Sequence, residues 1–212
     1  MKSKMSAIIV LFSIMSAMSL GCGPSLDPDG SIHSAVVSVD YRRTLAEMVE
    51  AGKYQGGVND QLTDENFPIQ RPGVVLLPVN VEVVLVHFDA PAGPYDREVS
   101  TNDVLKYMDK NGLRPARIEV LLAFGEKYPD AQQDFVIIAF GSSSVVPNKN
   151  LLVVKDRDYY QVVPFLASSY SGGDRRGPYS RYISLIPIYG FSFIDDNPVW
   201  DTKYSRFLAV RK

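Results

Sequence analysis

Length, composition and charge already restrict what this chain can be. It has 212 residues, 46% of them hydrophobic, which is enough for one well-cored domain with appendages and too few for two ordinary domains. Its 22 basic and 24 acidic residues give a net charge of −2 and form no basic block, so binding to nucleic acid is not expected. The single cysteine excludes an internal disulfide.

The N-terminus has the three-part organisation of an export signal. Lys2 and Lys4 precede an apolar stretch, 7–20, that is short for a membrane-spanning helix. The sequence SLGC, which ends at Cys22, resembles the processing box of bacterial lipoproteins, in which the cysteine is acylated and becomes the mature N-terminus. We therefore predict a signal peptide over 1–21 and an exported lipoprotein of the cell envelope, anchored in the lipid bilayer through Cys22 on the periplasmic or cell-surface side. An ordinary secretory signal with an incidental cysteine is the alternative.

The residues after the cysteine predict a tether and a small first segment. Gly, Pro, Ser and Asp predominate early in 22–38, which is typical of a flexible tether. A small helical and irregular segment is predicted over 39–78, in which Leu45 and Met48 share the apolar face of a helix that Gly52 ends. Without its signal peptide the chain carries 20 basic and 24 acidic residues, so the mature protein is expected to be mildly acidic.

The main unit is predicted over 79–212, with its elements in an α+β order. Alternating β-branched residues predict a strand from Val79 onward, and two helices follow it within residues 100–128. The apolar segments after these helices predict a run of antiparallel strands. The last of them, RFLAVRK, is expected to pair near the strand from Val79, with Phe207 and Ala209 pointing inward.

Start and stop signals bound the two helices of this unit. Ser100 or Thr101 can cap the first helix, which Gly112 closes. Pro115 then allows a second helix to start, in GLRPARIEVLLAFGEKYPD. Its apolar residues repeat at near-helical spacing: Ile118, Leu121, Leu122 and Phe124.

Four residues at the start of the second helix resemble those of a known fold. In C-type lectin-like domains related to sulfatase-modifying factors a similar motif starts the second helix, and this chain matches it at Gly112, Arg114, Ala116 and Glu119. The resemblance implies a C-type lectin-like domain over 79–212, with two helices packed on a mostly antiparallel sheet with long loops. It also implies that Arg114 and Glu119 determine the fold rather than take part in chemistry.

The end of the chain carries a second part of the resemblance. Trp200-Asp201 is similar to the tryptophan-containing turn after which such domains finish in a strand. The segments GLRPA, LLAFGEKYPD and RFLAVRK together are also similar to a group of uncharacterised bacterial lipoprotein-type proteins, over residues 39–212. This second resemblance implies no activity.

Histidine and cysteine are too few for the catalytic and metal sites that they commonly build. The only histidines are His33 and His87, so neither a His-rich nor a thiolate metal site is expected. Formylglycine-generating enzymes of the resembled fold depend on cysteine chemistry, and the related iron-dependent sulfoxide synthases depend on several histidines, so neither activity is carried over. No G-x-S-x-G motif accompanies His87. We predict no catalytic residue and no cofactor.

An acidic cluster near the C-terminus offers the oxygen ligands that calcium prefers. Its members lie close together in the sequence: Asp195, Asp196, Asn197 and Asp201. We interpret the cluster as a solvated acidic turn, because Asp and Asn are ordinary turn formers. A calcium site is the alternative.

A long segment rich in tyrosine, arginine and glycine, SSYSGGDRRGPYSRY, is typical of a recognition surface. Flat aromatic rings and planar guanidinium donors suit the binding of a ligand at modest ordering cost. The candidate ligand-binding residues are Tyr170, Arg175, Arg176, Tyr179 and Tyr182, with help from Trp200. An ordinary surface loop is the alternative.

These observations predict a membrane-tethered, non-enzymatic binding or interaction module of the bacterial envelope. Its ligand is expected to be a protein, a peptide or a glycan. Two alternatives stay open. One is an envelope hydrolase that acts on glycan or peptide through paired carboxylates from Asp195, Asp196 and Asp201, and the other is a purely structural envelope lipoprotein.

The lipid anchor can be tested by metabolic labelling with a palmitate analogue. The wild-type protein is expected to take up the label and the Cys22→Ser variant is not, because acylation of the mature N-terminus needs the thiol. Equal labelling of both proteins would exclude the anchor.

Overall fold

The computed structural model describes residues 33–74, 77–88, 98–147, 159–170, 178–188 and 199–212, and these form a strand-rich, mixed α+β fold. The helices are α1 (Leu45–Ala51), α2 (Thr101–Lys110), α3 (Ile118–Lys127) and a 3₁₀ helix (Pro129–Gln132). The strands are β1 (His33–Val39), β2 (Gly57–Val58), β3 (Val79–Val86), β4 (Glu98–Ser100), β5 (Leu113–Pro115), β6 (Val136–Ile138), β7 (Ser144–Pro147), β8 (Tyr159–Tyr170), β9 (Tyr179–Pro187), β10 (Val199–Asp201) and β11 (Ser205–Arg211). The α+β class predicted from the sequence is confirmed at this level.

Most of the described strands belong to one sheet, with the order β1-β3-β11-β6-β8-β9-β2. Strand β5 also pairs with β11, and β7 also pairs with β8, while β4 and β10 form a separate two-stranded ribbon. Pairing is antiparallel except between β11 and β6 and between β2 and β9. The last strand pairs with β3, with Phe207 opposite Val86 and Ala209 opposite Val84. The predicted pairing of RFLAVRK with the strand from Val79 is therefore confirmed.

Both faces of the sheet are covered, and the buried residues that the structure describes form two hydrophobic clusters. Helices α1 and α3 pack on one face, where Leu208 and Val210 of β11 are buried. Helix α2 and Trp200 of β10 pack on the other face, against Phe207 and Ala209. From the sequence, only Phe207 and Ala209 of β11 were predicted to point inward, which are the residues on one face of the strand. A central strand of a covered sheet has no solvent side, and both sets of side chains are buried.

The helix starts follow the capping signals in the sequence. The Thr44 hydroxyl accepts a hydrogen bond from the Glu47 amide at the start of α1, and the Glu47 carboxylate accepts one from the Thr44 amide. The Ser100 hydroxyl accepts from the Asp103 amide at the start of α2. These bonds satisfy amides that have no partner within the helix. Gly52 follows the end of α1, as predicted.

The boundaries predicted for the N-terminal part need correction. The predicted tether over 22–38 ends too late, because His33–Val39 is strand β1 and pairs along its length with β3. The predicted separate segment over 39–78 belongs to the same unit as the rest, since Leu45 and Phe67 are buried in the core that α1 and α3 share with the sheet. Its strand β2 also pairs with β9. Cys22 and the predicted signal peptide lie outside the described residues.

One buried arginine joins two helix ends to the sheet. Arg181 lies in β9 and donates from Nη1 to the Gly52 carbonyl, at 2.8 Å, and from Nη2 to the Gly125 carbonyl, at 2.6 Å. Within α3 the Gly125 carbonyl would accept from residue 129, but that residue is Pro129 and has no amide hydrogen. Both carbonyls lie where helix ends carry partial negative charge, which the guanidinium offsets. Arg181 therefore fixes α1 and α3 relative to β9.

A buried carboxyl group lies at the start of α3. Glu119 is 1% exposed and its Oε1 accepts from Arg117 Nε at 3.2 Å, whereas Arg114 is exposed. Arg117 also donates to the Gly141 carbonyl at 3.0 Å. The arginine that binds Glu119 is thus Arg117, while the predicted fold-determining residue Arg114 has an exposed side chain. Burial raises the pKa of Glu119 above its ordinary value, although Arg117 opposes this shift.

The raised pKa gives a pH-dependent prediction for Glu119→Gln. Because the folded-state pKa lies above the unfolded one, protonated Glu119 adds stability at low pH, and this stability is lost as the pH rises through the folded-state pKa. Glutamine keeps the neutral shape and does not titrate. Thermal melts are therefore expected to show a gain of the variant over wild type that grows as the pH rises above the ordinary glutamate value of 4.5.

Glu126→Gln is the matched control, because Glu126 lies in the same helix with an exposed side chain. It controls for the loss of one acidic charge from α3. A melting-temperature difference between wild type and Glu119→Gln that stays constant with pH would contradict the role assigned to burial.

Candidate functional site

Two of the predicted recognition residues meet at the paired ends of β8 and β9. Tyr170 ends β8 and lies opposite Tyr179, the first residue of β9. Their ring centroids are 6.1 Å apart. Arg175 and Arg176 lie outside the described residues. The structure therefore brings together one aromatic pair of the predicted set.

Trp200 does not belong to a recognition face. Its side chain is fully buried, its Nε1 donates to Thr101 Oγ1 at 2.7 Å, and its ring packs edge-on against Phe140 and Phe207. The expectation that it helps to bind a ligand is corrected, because the ribbon of β4 and β10 covers the α2 face of the sheet. Tyr182 is half-buried with its ring against Phe165, and burial raises its pKa.

The acidic cluster is described only at its last member. Asp201 is exposed on β10, and its Oδ1 accepts from the Lys203 amide at 2.8 Å, which is the behaviour of a turn residue. Asp195, Asp196 and Asn197 lie outside the described residues. Over the part of the chain that the structure describes, no group of three or more His, Cys, Asp or Glu side chains could hold a metal ion.

A groove of about 240 Å³ lies beside the end of β8 and is a candidate site within the part of the chain that the structure describes. Strand β6 pairs with β8 only through Ile137 and Ile138, and the preceding segment diverges from β8. The diverging backbone opens a wedge, which the turn before β11 closes. We call it the β8 groove, and its lining residues are Gln132, Gln133, Asp134, Phe135, Val136, Ala167, Ser168, Tyr170 and Tyr204.

Three hydrogen bonds hold the walls of the β8 groove in place. Gln132 Nε2 donates to the Ala167 carbonyl at 2.6 Å, and the Tyr170 hydroxyl donates to the Gln133 carbonyl at 2.9 Å. The Val136 amide donates to the Tyr204 carbonyl at 2.8 Å. The first two bonds bridge the wedge between β8 and the 132–136 segment. The groove is therefore a fixed feature of the fold.

Two polar atoms of the groove residues have no hydrogen-bond partner among the described residues. They are Gln132 Oε1 and Ser168 Oγ, and both are shielded from solvent. Because the Gln132 amide nitrogen is held by Ala167, its oxygen is the atom left over. A buried polar atom without a partner costs about 1–3 kcal/mol. Among the described residues four more such atoms lie outside the groove lining, on Tyr54, Glu119, Arg181 and Thr202, so the groove residues hold two of six.

Charges of both signs surround the β8 groove. Asp134 is exposed on its lining, and Asp130 accepts from the Tyr179 hydroxyl at 2.6 Å, a bond that raises the pKa of Tyr179. The Arg206 guanidinium lies 3.8 Å from the ring centroid of Phe135, and Lys203 Nζ lies 4.9 Å from that of Tyr204. Neither sign predominates at this surface.

Sequence reasoning found only part of this site. Tyr170 and Ser168 lie in the segment predicted for recognition, but Gln132, Phe135 and Tyr204 come from two other parts of the chain. For Gln132 the sequence offers one signal, the polar AQQD sequence directly before a buried strand. Phe135 and Tyr204 have no comparable signal. A polar side chain such as Gln132, 1% exposed at that place, must find partners in another segment.

No protein-family model matches this chain, and its comparison with curated proteins and with solved structures found no match either. Among the residues that the structure describes, no helix has the length and apolar character that crossing a membrane requires.

Proposed function

We propose that this chain is a membrane-tethered, non-enzymatic binding module of the bacterial envelope and that its ligand occupies the β8 groove. The observation that carries the proposal is the coincidence of aromatic walls with two buried polar atoms that lack partners, Gln132 Oε1 and Ser168 Oγ. Aromatic rings supply contact area, and a few polar atoms orient the ligand. This combination is what non-covalent recognition needs.

The rigidity of the groove supports binding over a purely structural role. Its two bridging bonds, from Gln132 to β8 and from Tyr170 to Gln133, fix the walls before a ligand arrives. A preformed site saves the entropy that ordering would cost on binding.

The position of the groove also fits the segment first predicted for recognition. Tyr170 lines the groove, and Tyr179 packs beside it. The proposed site therefore keeps the aromatic pair and adds the 132–136 segment and Tyr204. The membrane anchor at Cys22 rests on the N-terminal sequence, which gives the module its proposed location in the envelope.

The proposal predicts where ligands bind and which tyrosines matter. In a fragment screen followed by backbone amide NMR shifts, hits are expected to perturb residues 132–136 and 167–170. Tyr170→Ala and Tyr204→Ala are each expected to weaken a hit by about 1 kcal/mol or more, because each removes aromatic contact area. Melting temperatures measured in parallel report whether each variant stays folded.

Tyr159→Ala is the matched control for these variants. Tyr159 lies at the other end of β8, is 63% exposed and is not part of the groove lining. It is expected to leave binding unchanged. Hits that cluster away from the groove, or that lose equal affinity in all three variants, would place the binding site elsewhere.

A further inference from the structure

An apolar segment lies directly before β3, on the surface of the domain. Residues 72–78 have the sequence PGVVLLP, which contains no polar or charged side chain. Val74 is 92% exposed and Leu77 is 72% exposed, the two highest values among the large hydrophobic residues that the structure describes. Connecting segments on a surface are normally polar, and exposed apolar residues that lie together mark an interaction site. We call Val74 and Leu77, with the exposed Pro72 and Pro78 on either side, the apolar tip.

Main-chain contacts fix both ends of the apolar tip on the domain. The Gly73 amide donates to the Arg71 carbonyl at 2.9 Å in a three-residue turn, and Gly73 has a φ of +73°, which glycine adopts without strain. Arg71 Nε in turn donates to the Tyr41 carbonyl at 2.8 Å. On the other side of the tip, Val79 begins β3 and lies opposite Val39. The fold therefore presents these apolar side chains at the end of the β1–β3 pair.

The length of chain before β1 lets the apolar tip and the proposed anchor at Cys22 reach one membrane surface. Because β1 is antiparallel to β3, His33 lies at the end of this strand pair opposite to the tip. The strand from His33 to Val39 covers about 20 Å. The eleven residue steps from Cys22 to His33 can span up to about 36–40 Å. The chain is therefore long enough for the anchor to lie level with the tip.

Three exposed arginines lie at the same end of the strand pair as the apolar tip. Arg42 and Arg43 belong to the turn after β1, and Arg71 directly precedes the tip. Arg42 pairs with Asp40 and Arg43 with Glu126, so this group of five side chains carries one net positive charge. Guanidinium groups donate well to phosphates, and basic residues beside an inserted apolar group are attracted to anionic headgroups. A lipid surface therefore matches both the apolar and the charged parts of this end.

We infer that the apolar tip is a second membrane contact, in which Val74 and Leu77 insert at the boundary of lipid headgroups and acyl chains and Arg71 meets lipid phosphates. This inference rests on the proposed function, because it requires the tether at Cys22. Two exposed side chains bury too little area to hold a protein on a bilayer by themselves. The tether keeps the tip close to the surface, and a weak second contact then becomes effective.

Such a contact directs the β8 groove away from the bilayer. Strand β11 is antiparallel to β3, with Phe207 opposite Val86, so β11 begins at the end of the sheet far from the apolar tip. Tyr204 of the groove lining lies directly before β11, at that far end. The membrane contact and the groove therefore occupy opposite ends of the sheet, which leaves the groove open to partners in the aqueous phase.

Spin-label accessibility on the full chain in isolated bacterial membranes tests the inference. Cys22 is the only cysteine and is acylated in the proposed function, so Leu77→Cys supplies one free thiol for the label. Val145→Cys is the matched control, since Val145 is 63% exposed in β7, which pairs with β8. Oxygen dissolves in lipid, whereas a nickel chelate stays in water. The ratio of oxygen to nickel collision rates is expected to be higher at residue 77 than at residue 145.

A charge placed in the apolar tip is expected to remove this difference. Val74→Asp in the Leu77→Cys chain is expected to lower the collision ratio at residue 77 to the value at residue 145, because a carboxylate opposes insertion into lipid. Val145→Asp is the matched control, the same substitution at an exposed valine outside the tip, and it is expected to leave the ratio at residue 77 unchanged. Melting temperatures of both variants report whether the fold is kept.

The outcomes separate this inference from the proposed tether. Equal collision ratios at residues 77 and 145, in a chain that sediments with the membranes, overturn the inference and leave the tether standing. A wild-type chain that stays out of the membrane fraction overturns the tether and the inference with it. Dipolar broadening between labels at residue 77 of two molecules, kept after detergent extraction, assigns the apolar tip to a contact between copies and also overturns the inference.

Discussion

The last strand, β11, is the element on which the rest of the structure depends. It pairs with β3 on one side and with β6 and β5 on the other, so it joins both halves of the sheet. Its side chains alternate between the two cores, with Phe207 facing α2 and Leu208 facing α1 and α3. Six of its seven residues are buried, because a central strand of a covered sheet has neighbours on both faces. The groove depends on β11 too, since Tyr204 lies directly before it and Arg206 packs on Phe135.

Buried polar groups divide into two kinds in this protein. Arg181 and Arg117 bind main-chain carbonyls of distant segments and hold helices to the sheet, which offsets the cost of burying their charge. Gln132 Oε1 and Ser168 Oγ have no such partner among the described residues. The first kind stabilises the fold at points where elements meet. Gln132 and Ser168 lie at the groove where the sheet opens, whereas the other unpartnered atoms of the described residues, on Tyr54, Glu119, Arg181 and Thr202, lie outside its lining.

Local patterns predicted the elements better than they predicted the contacts between them. The caps at Ser100 and Gly52 act over a few residues, and the alternation from Val79 reports burial along one strand, so these features were visible in the sequence. The position of Trp200 was not, because its partners Phe140 and Phe207 come from separate segments. The start of the sheet at His33 was also missed, since β1 is stabilised by pairing with β3 rather than by its own composition. The β8 groove combines three segments, and only one of them was predicted to take part in recognition.

Native-state hydrogen exchange on the whole chain tests the central role of β11 most directly. If β11 joins both halves of the sheet, the amides of Leu208 and Ala209 exchange only when the protein unfolds globally, with the highest free energy of opening in the chain. Amides of the edge strand β1 that bond to β3 exchange through smaller openings at lower free energy. Exchange of Leu208 and Ala209 at a lower free energy than that of β1 would contradict the account, because the sheet would then persist while its central strand opens.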